Sequence, residues 1–179
     1  MADYEVEDFF ERHIKNNLYP AVRCTLKKGT QFACAQLLCS YTEIMGGHIS
    51  GNLGKRYHGT KNFNTFLEYM DPRYLELSKK INLYDVIRNG LVHEAEPKKQ
   101  FLIQLSKSNP KRIGIEYYDK PSIIINFHLR EYFRDFKTGI NKLCSQLKQP
   151  YQNLEIYSNF INCRRRTYEK YLIEKGVRS

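Results

Sequence analysis

Leu129, Phe133, Phe136, Ile140, Leu143 and Leu147 recur at alternating intervals of four and three. That spacing keeps large apolar side chains on one stripe of an α-helix along its whole length. A helix striped in this way needs neighbours running beside it, so the chain is committed to a helical bundle. The neighbours are legible too. Val6, Phe9, Phe10, His13, Ile14 and Leu18 fall at helical spacing over residues 4–18, a pattern that Pro20 is expected to end or kink. Residues 31–45 are apolar or small nearly all round, as in a central helix, and Gly46-Gly47 is expected to stop it. Phe63, Phe66, Leu67 and Met70 mark a short amphipathic helix ending before Asp71-Pro72. A further helical stretch runs from about Arg73 to Ala95, with a break near Asn82, and Pro97 closes it. After Pro150, Leu154, Tyr157, Ile161, Tyr168 and Leu172 outline a last helix.

Between these helices the period changes from helical to alternating. Phe101, Ile103 and Leu105 alternate, SKSNPKR turns the chain, Ile113, Ile115 and Tyr117 alternate again, and YDKP leads to a third strand over Ser122–Phe127. The fold class read from these patterns is mainly α: an up-and-down helical bundle with a small antiparallel β-meander inserted at about residues 101–127, all in one domain spanning 1–179. The meander is too small to fold alone and is expected to lie against the helices.

Composition narrows the function classes. The 179 residues carry a net charge of +10, with 29 Lys and Arg against 19 Asp and Glu. Such an excess favours a polyanionic partner, because each phosphate neutralised releases condensed counterions, although a basic solvated surface has the same composition. The charge is uneven. Asp3, Glu5, Glu7, Asp8 and Glu11 crowd the start, whereas Arg164, Arg165, Arg166, Lys170, Lys175 and Arg178 crowd the end. No apolar run approaches the roughly 20 residues that span a bilayer. The N-terminus is acidic, unlike a signal or transit peptide, so a cytoplasmic protein without membrane contact is expected. The five cysteines lack CxxC spacing and read as reduced, packed thiols. The histidines show no metal-ligand pattern, so neither a metal nor a cofactor is expected.

The chemistry concentrates in LYDVIRNGLVHEAEPKK, where Arg88 and His93 stand either side of four residues near the end of a helical pattern. Cleavage of RNA without a metal uses the ribose 2′-hydroxyl as nucleophile. It needs an acid or base working near neutral pH, which histidine supplies, and a fixed positive donor on the phosphate, which guanidinium supplies through paired hydrogen bonds. In α-helical geometry five positions at about 100° each put Arg88 and His93 roughly 140° apart, whereas Asn89 and His93 share a face. One such helix makes a poor site; two antiparallel copies across a dimer make a better one. The plainer alternatives are a partly buried Arg88 tied to Glu43 or Asp85, and a His93 that only caps a helix C-terminus.

The RNGLVH hexamer resembles the R-x4-6-H motif of HEPN-domain proteins, with Asn89 matching the polar residue that commonly follows the arginine. The similarity extends through SYTEIMGG and the GNLGK loop, over roughly residues 4–97 and the closing helices. It implies a metal-independent endoribonuclease of a toxin, phage-defence or stress-response kind, acting as a homodimer through the helix at about 82–95. Arg88 would hold the scissile phosphate, His93 would act as acid and base, and Asn89 would position one or the other. It equally allows a degenerate, non-catalytic module that binds RNA or a nucleotide. An antitoxin or defence-system partner is compatible with either. One departure is Ala95, where some members carry a modifiable tyrosine. Further RNA-binding candidates are Lys55, Arg56 and His58 in the loop GHISGNLGKRYHG, and Arg164 and Arg165 in the closing arginine run. Glu43, alone in an apolar helix, is a candidate to orient Arg88 or His93, or a residue at an exposed helix end. The loop fails P-loop spacing, with Ile49 and Arg56 at defining positions.

Overall fold

A computed structural model describes residues 2–89, 100–105, 109–119 and 124–174. The chain is mainly helical, with a three-stranded mixed sheet. The first helix runs without interruption from residue 2 to residue 28, but in three registers: α1 (Ala2–Asp8), a wider π-helical stretch (Phe9–Leu18) and α2 (Tyr19–Lys28). Phe10, Ile14, Leu18, Val22 and Leu26 are all buried at a strict interval of four. In an α-helix of 3.6 residues per turn that stripe would rotate by about 40° at each repeat. The i→i+5 turns fall short where α turns overshoot, so combining the two holds the stripe on one face. Pro20 therefore does not end this helix. It sits in the first turn of α2, where the register returns to α. Gly29, at φ +71°, closes α2 in the left-handed conformation after two lysines.

The central helix α3 covers Gln31–Ser50 and passes straight through Gly46-Gly47, which sequence patterning had as its stop. The pair serves packing instead. A Cβ on Gly46 would stand 1.6 Å from the carbonyl oxygen of Asn62, in the helix α4 (Gly59–Met70). The real terminator is Gly51, at φ +70°, so the connecting loop shrinks to residues 51–58. Helix α4 buries Phe63, Phe66, Leu67 and Met70 as expected. Asp71 then caps α5 (Pro72–Lys80), its carboxylate accepting from the Arg73 backbone N–H at 2.9 Å.

The closing helices are α6 (Leu129–Leu147) and α7 (Leu154–Glu174). All six stripe residues of α6 are buried. Helix α7 keeps part of its expected face, with Ile161 buried and Tyr157 packed on the core, but Leu154 and Tyr168 are exposed and Phe160 and Cys163 point inward. It meets the bundle against α3 and α1.

The inserted strands are β1 (Gln100–Gln104), β2 (Ile115–Tyr118) and β3 (Ile124–His128). Their order is β1-β3-β2, with β1 parallel and β2 antiparallel to β3, so they do not form a meander. Strand β3, with Ile125, Phe127 and His128 buried, takes the centre because it has the most to bury. The approach to β2 is pinned to α6. Glu131 accepts from the Asn109 N–H at 2.8 Å and from Arg112 at 2.6 Å. The Gly114 N–H donates to the Tyr74 hydroxyl at 2.7 Å, which itself donates to Asp135 at 2.7 Å. A Cβ on Gly114 would lie 2.3 Å from the Tyr132 Cα. That close dock places β2 beside β3 on the α6 side and leaves β1 to pair along the other edge.

Candidate nucleic-acid interface

Arg88 and Asn89 belong to a helical turn at Tyr84–Asn89 that follows a break at Ile81-Asn82. Asn82 starts the turn, its side chain accepting from the Asp85 N–H at 3.1 Å. The side chains of Arg88 and Asn89, together with Gly90 and His93, lie outside the described residues. The rest of the turn is described. Leu83 and Ile87 are buried, and the turn packs against α3 and α4. Tyr84 meets Phe63 edge-on at 5.8 Å, and its hydroxyl covers Gly59, where a Cβ would stand 2.1 Å away. The turn winds in the wide i→i+5 register rather than as an α-helix. The angle between Arg88 and His93 depends on residues beyond Asn89, which lie outside the described residues. Glu43 is partly buried on α3, one of the two helices against which this turn packs.

The other candidates fall into two groups with different surroundings. In α7, Arg164 is packed into the fold. Its guanidinium lies 4.7 Å from the Phe9 ring centroid, and burial lowers its pKa against the raising influence of Asp8 and Glu5. Arg165 pairs with Glu5 at 3.5 Å. Arg166 donates to the Gly51 carbonyl at 3.2 Å, while Asn159, two turns earlier, donates to Ile49 O at 3.0 Å. Between them the Cys163 thiol reaches Gly47 O at 3.7 Å. Asn159, Cys163 and Arg166 share one face of α7 and meet carbonyls at the C-terminus of α3. His48 stands in the same wall, its ring 5.2 Å from Phe9 and 5.0 Å from Phe160. Burial is the main cause that brings its pKa down to about 4, and Arg164 adds to the fall.

Lys55, Arg56 and His58 have no such engagement. All three sit in the loop 51–58, with Lys55 and Arg56 exposed and His58 partly so. Lys55 donates to the Asn52 side chain at 3.1 Å, and Arg56 makes no ion pair or side-chain hydrogen bond among the described residues. The loop joins the other elements. It begins at Gly51, held by Arg166, beside a hollow of about 480 Å³ lined by Asn159, Asn162, Arg165, Arg166 and Glu169. It ends at Gly59 under Tyr84, one turn before Arg88. The residue that sequence reading passed over is Tyr57, fully exposed at the tip with φ +64°. Its signal was there in GKRYHG, an aromatic among cations directly after glycines. Comparison with protein-family models, with curated proteins and with solved structures gives no match for this chain.

Proposed function

We propose that this protein binds RNA at the loop 51–58 and cleaves it, without a metal, in the manner of a HEPN-type endoribonuclease. The observation that carries this reading is an adjacency. The turn bearing Arg88 is joined through Tyr84 and Gly59 to a loop of exposed cations, and that loop contains no acidic residue between 51 and 61. A phosphate chain drawn to Lys55 and Arg56 passes close to the segment that supplies Arg88. In the reaction, a base takes the 2′-hydroxyl proton, the 2′-oxygen attacks phosphorus, and the 5′-oxygen leaves with a proton from an acid. The products are a 2′,3′-cyclic phosphate and a 5′-hydroxyl. His93 fits the proton transfers, Arg88 the charge on the phosphoryl oxygens, and Asn89 the orientation of either. A homodimer through the segment around 82–95, and a toxin, defence or stress-response role with a regulatory partner, belong to the same reading.

The test is cleavage of labelled total RNA in EDTA by wild type, Arg88→Ala and His93→Ala. Wild type should yield cyclic-phosphate ends, and each variant should be slower by about a hundredfold or more. RNA that is bound but left intact by wild type would overturn catalysis and leave a non-catalytic RNA-binding module.

A further inference from the structure

Tyr57 has no reason to look as it does if the loop only connects two helices. A bulky residue at φ +64° is a genuine outlier, because its Cβ crowds the neighbouring carbonyl, and such strain persists only where the surroundings enforce it. Full exposure means that the ring recovers nothing through burial. The same loop uses glycine at its other left-handed positions, Gly51 and Gly54, so the exception is confined to residue 57.

The loop is nevertheless well anchored. The N–H groups of Asn52 and Leu53 donate to the Gly47 carbonyl at 3.0 and 3.1 Å, and Asn52 is buried. Lys55 N–H returns to Asn52 O at 3.1 Å, and His58 O accepts from the Asn62 N–H at 2.8 Å as α4 begins. The ring is therefore held out by a turn tied at both ends. Its sequence neighbours are Lys55, Arg56 and His58. An open aromatic face flanked by cations is the chemistry that takes a nucleobase by stacking and its phosphates by charge.

We propose that Tyr57 is a stacking platform for one unpaired base, with Lys55 and Arg56 holding the phosphates on either side of that nucleotide. This subsite is separate from the Arg88–His93 motif and rests on the RNA-binding part of the reading above, not on cleavage. A base within a duplex has no free face to offer, so the subsite distinguishes single strands from paired ones.

The chain contains no tryptophan, which gives a direct readout. Tyr57→Trp in the full-length protein places a lone indole at the tip, and its emission should be quenched saturably by a mixed-sequence 12-nucleotide RNA. In anisotropy titrations with the same oligomer, Tyr57→Phe should bind within about twofold of wild type. Tyr57→Leu should bind about 5- to 150-fold more weakly, the range expected for loss of one stacked base. Affinity for the 12-base-pair duplex should not change. Tyr57→Gly should lose affinity as Tyr57→Leu does, yet raise the thermal midpoint by relieving the positive φ, a combination that a purely structural role does not produce. Unaltered binding by Tyr57→Leu, or an indole emission unmoved at saturation, would overturn the subsite while leaving RNA binding in place. A wild type that binds neither oligomer would overturn the RNA-binding reading, and the subsite with it.

Discussion

The stem and the tip of the α3–α4 hairpin handle positive charge in opposite ways. At the stem, α3, α4 and α7 are pressed together through Gly46 and Gly47, and the nearby cations are engaged. Arg164 lies on Phe9, Arg165 on Glu5 and Arg166 on the end of α3. At the tip, Lys55 and Arg56 are exposed and pair with no carboxylate among the described residues, beside a strained, uncovered tyrosine. The comparison teaches that a basic stretch in a sequence means little until its partners are known. The arginine run was a phosphate-binding candidate alongside the loop, yet Arg165 pairs with Glu5, Arg164 packs on Phe9 and Arg166 bonds to the end of α3.

Four experiments would break or sharpen this contrast. The largest effect should come from the stem. Gly46→Ala puts a methyl group against a backbone carbonyl that cannot swing aside, and should cost about 3 kcal/mol or more in urea unfolding. A loss under about 1 kcal/mol would mean that α3 and α4 are not so close.

The second is acid sensitivity. His48 is held neutral in the fold with a pKa of about 4, against about 6.5 in an unfolded chain. Its folded pKa is depressed, so the unfolded state gains the proton first. Stability is full above about pH 6.5, declines as pH falls towards 4 and levels off below. The decline attributable to His48 is about 3 kcal/mol. Urea midpoints compared across that window should show it, and His48→Gln should flatten the curve; an equally steep curve in the variant would rule His48 out as its source.

Third, Arg164→Ala should cost about 1–2 kcal/mol through loss of its packing on Phe9, with RNA affinity scarcely altered. It should also raise the lower edge of the His48 window slightly, because a repelling charge has gone, while the upper edge near 6.5 stays where it is. Weakened RNA binding at unchanged stability would reverse the assignment of the two regions. The smallest stability effect belongs to the tip. Arg56→Ala should move unfolding by less than about 0.5 kcal/mol while lowering the slope of log affinity against log salt by about one. An unchanged slope would remove Arg56 from the phosphate path.

Much of the helical frame was legible because it depends on periodicity. The α6 stripe, the α4 face and the Asp71-Pro72 boundary are each fixed by residues within a turn or two of one another. What failed had distant causes. Gly46-Gly47 read as a helix stop because glycine usually is one, and nothing local reveals that Asn62 will lie against it. The strands were located correctly but paired wrongly, since their order depends on Glu131 and Asp135 of α6 reaching back to residues 109–114. In the candidate site, the sequence gathered Arg88, Asn89 and His93 by motif and Lys55, Arg56 and His58 by charge. It had no means of showing that Tyr84, at the start of the turn that carries Arg88 and Asn89, packs over Gly59 at the end of the loop 51–58.

By itself, then, the amino-acid order determined where helices and strands form, which faces are apolar and which residues are chemically able to act on a phosphodiester. Those properties follow from local backbone preference and side-chain chemistry. Only the tertiary structure decided which charges remain available, which glycines serve contact and which strand takes the centre of the sheet. Each of those outcomes depends on atoms far apart in the chain, whose contacts exist only once the bundle has closed.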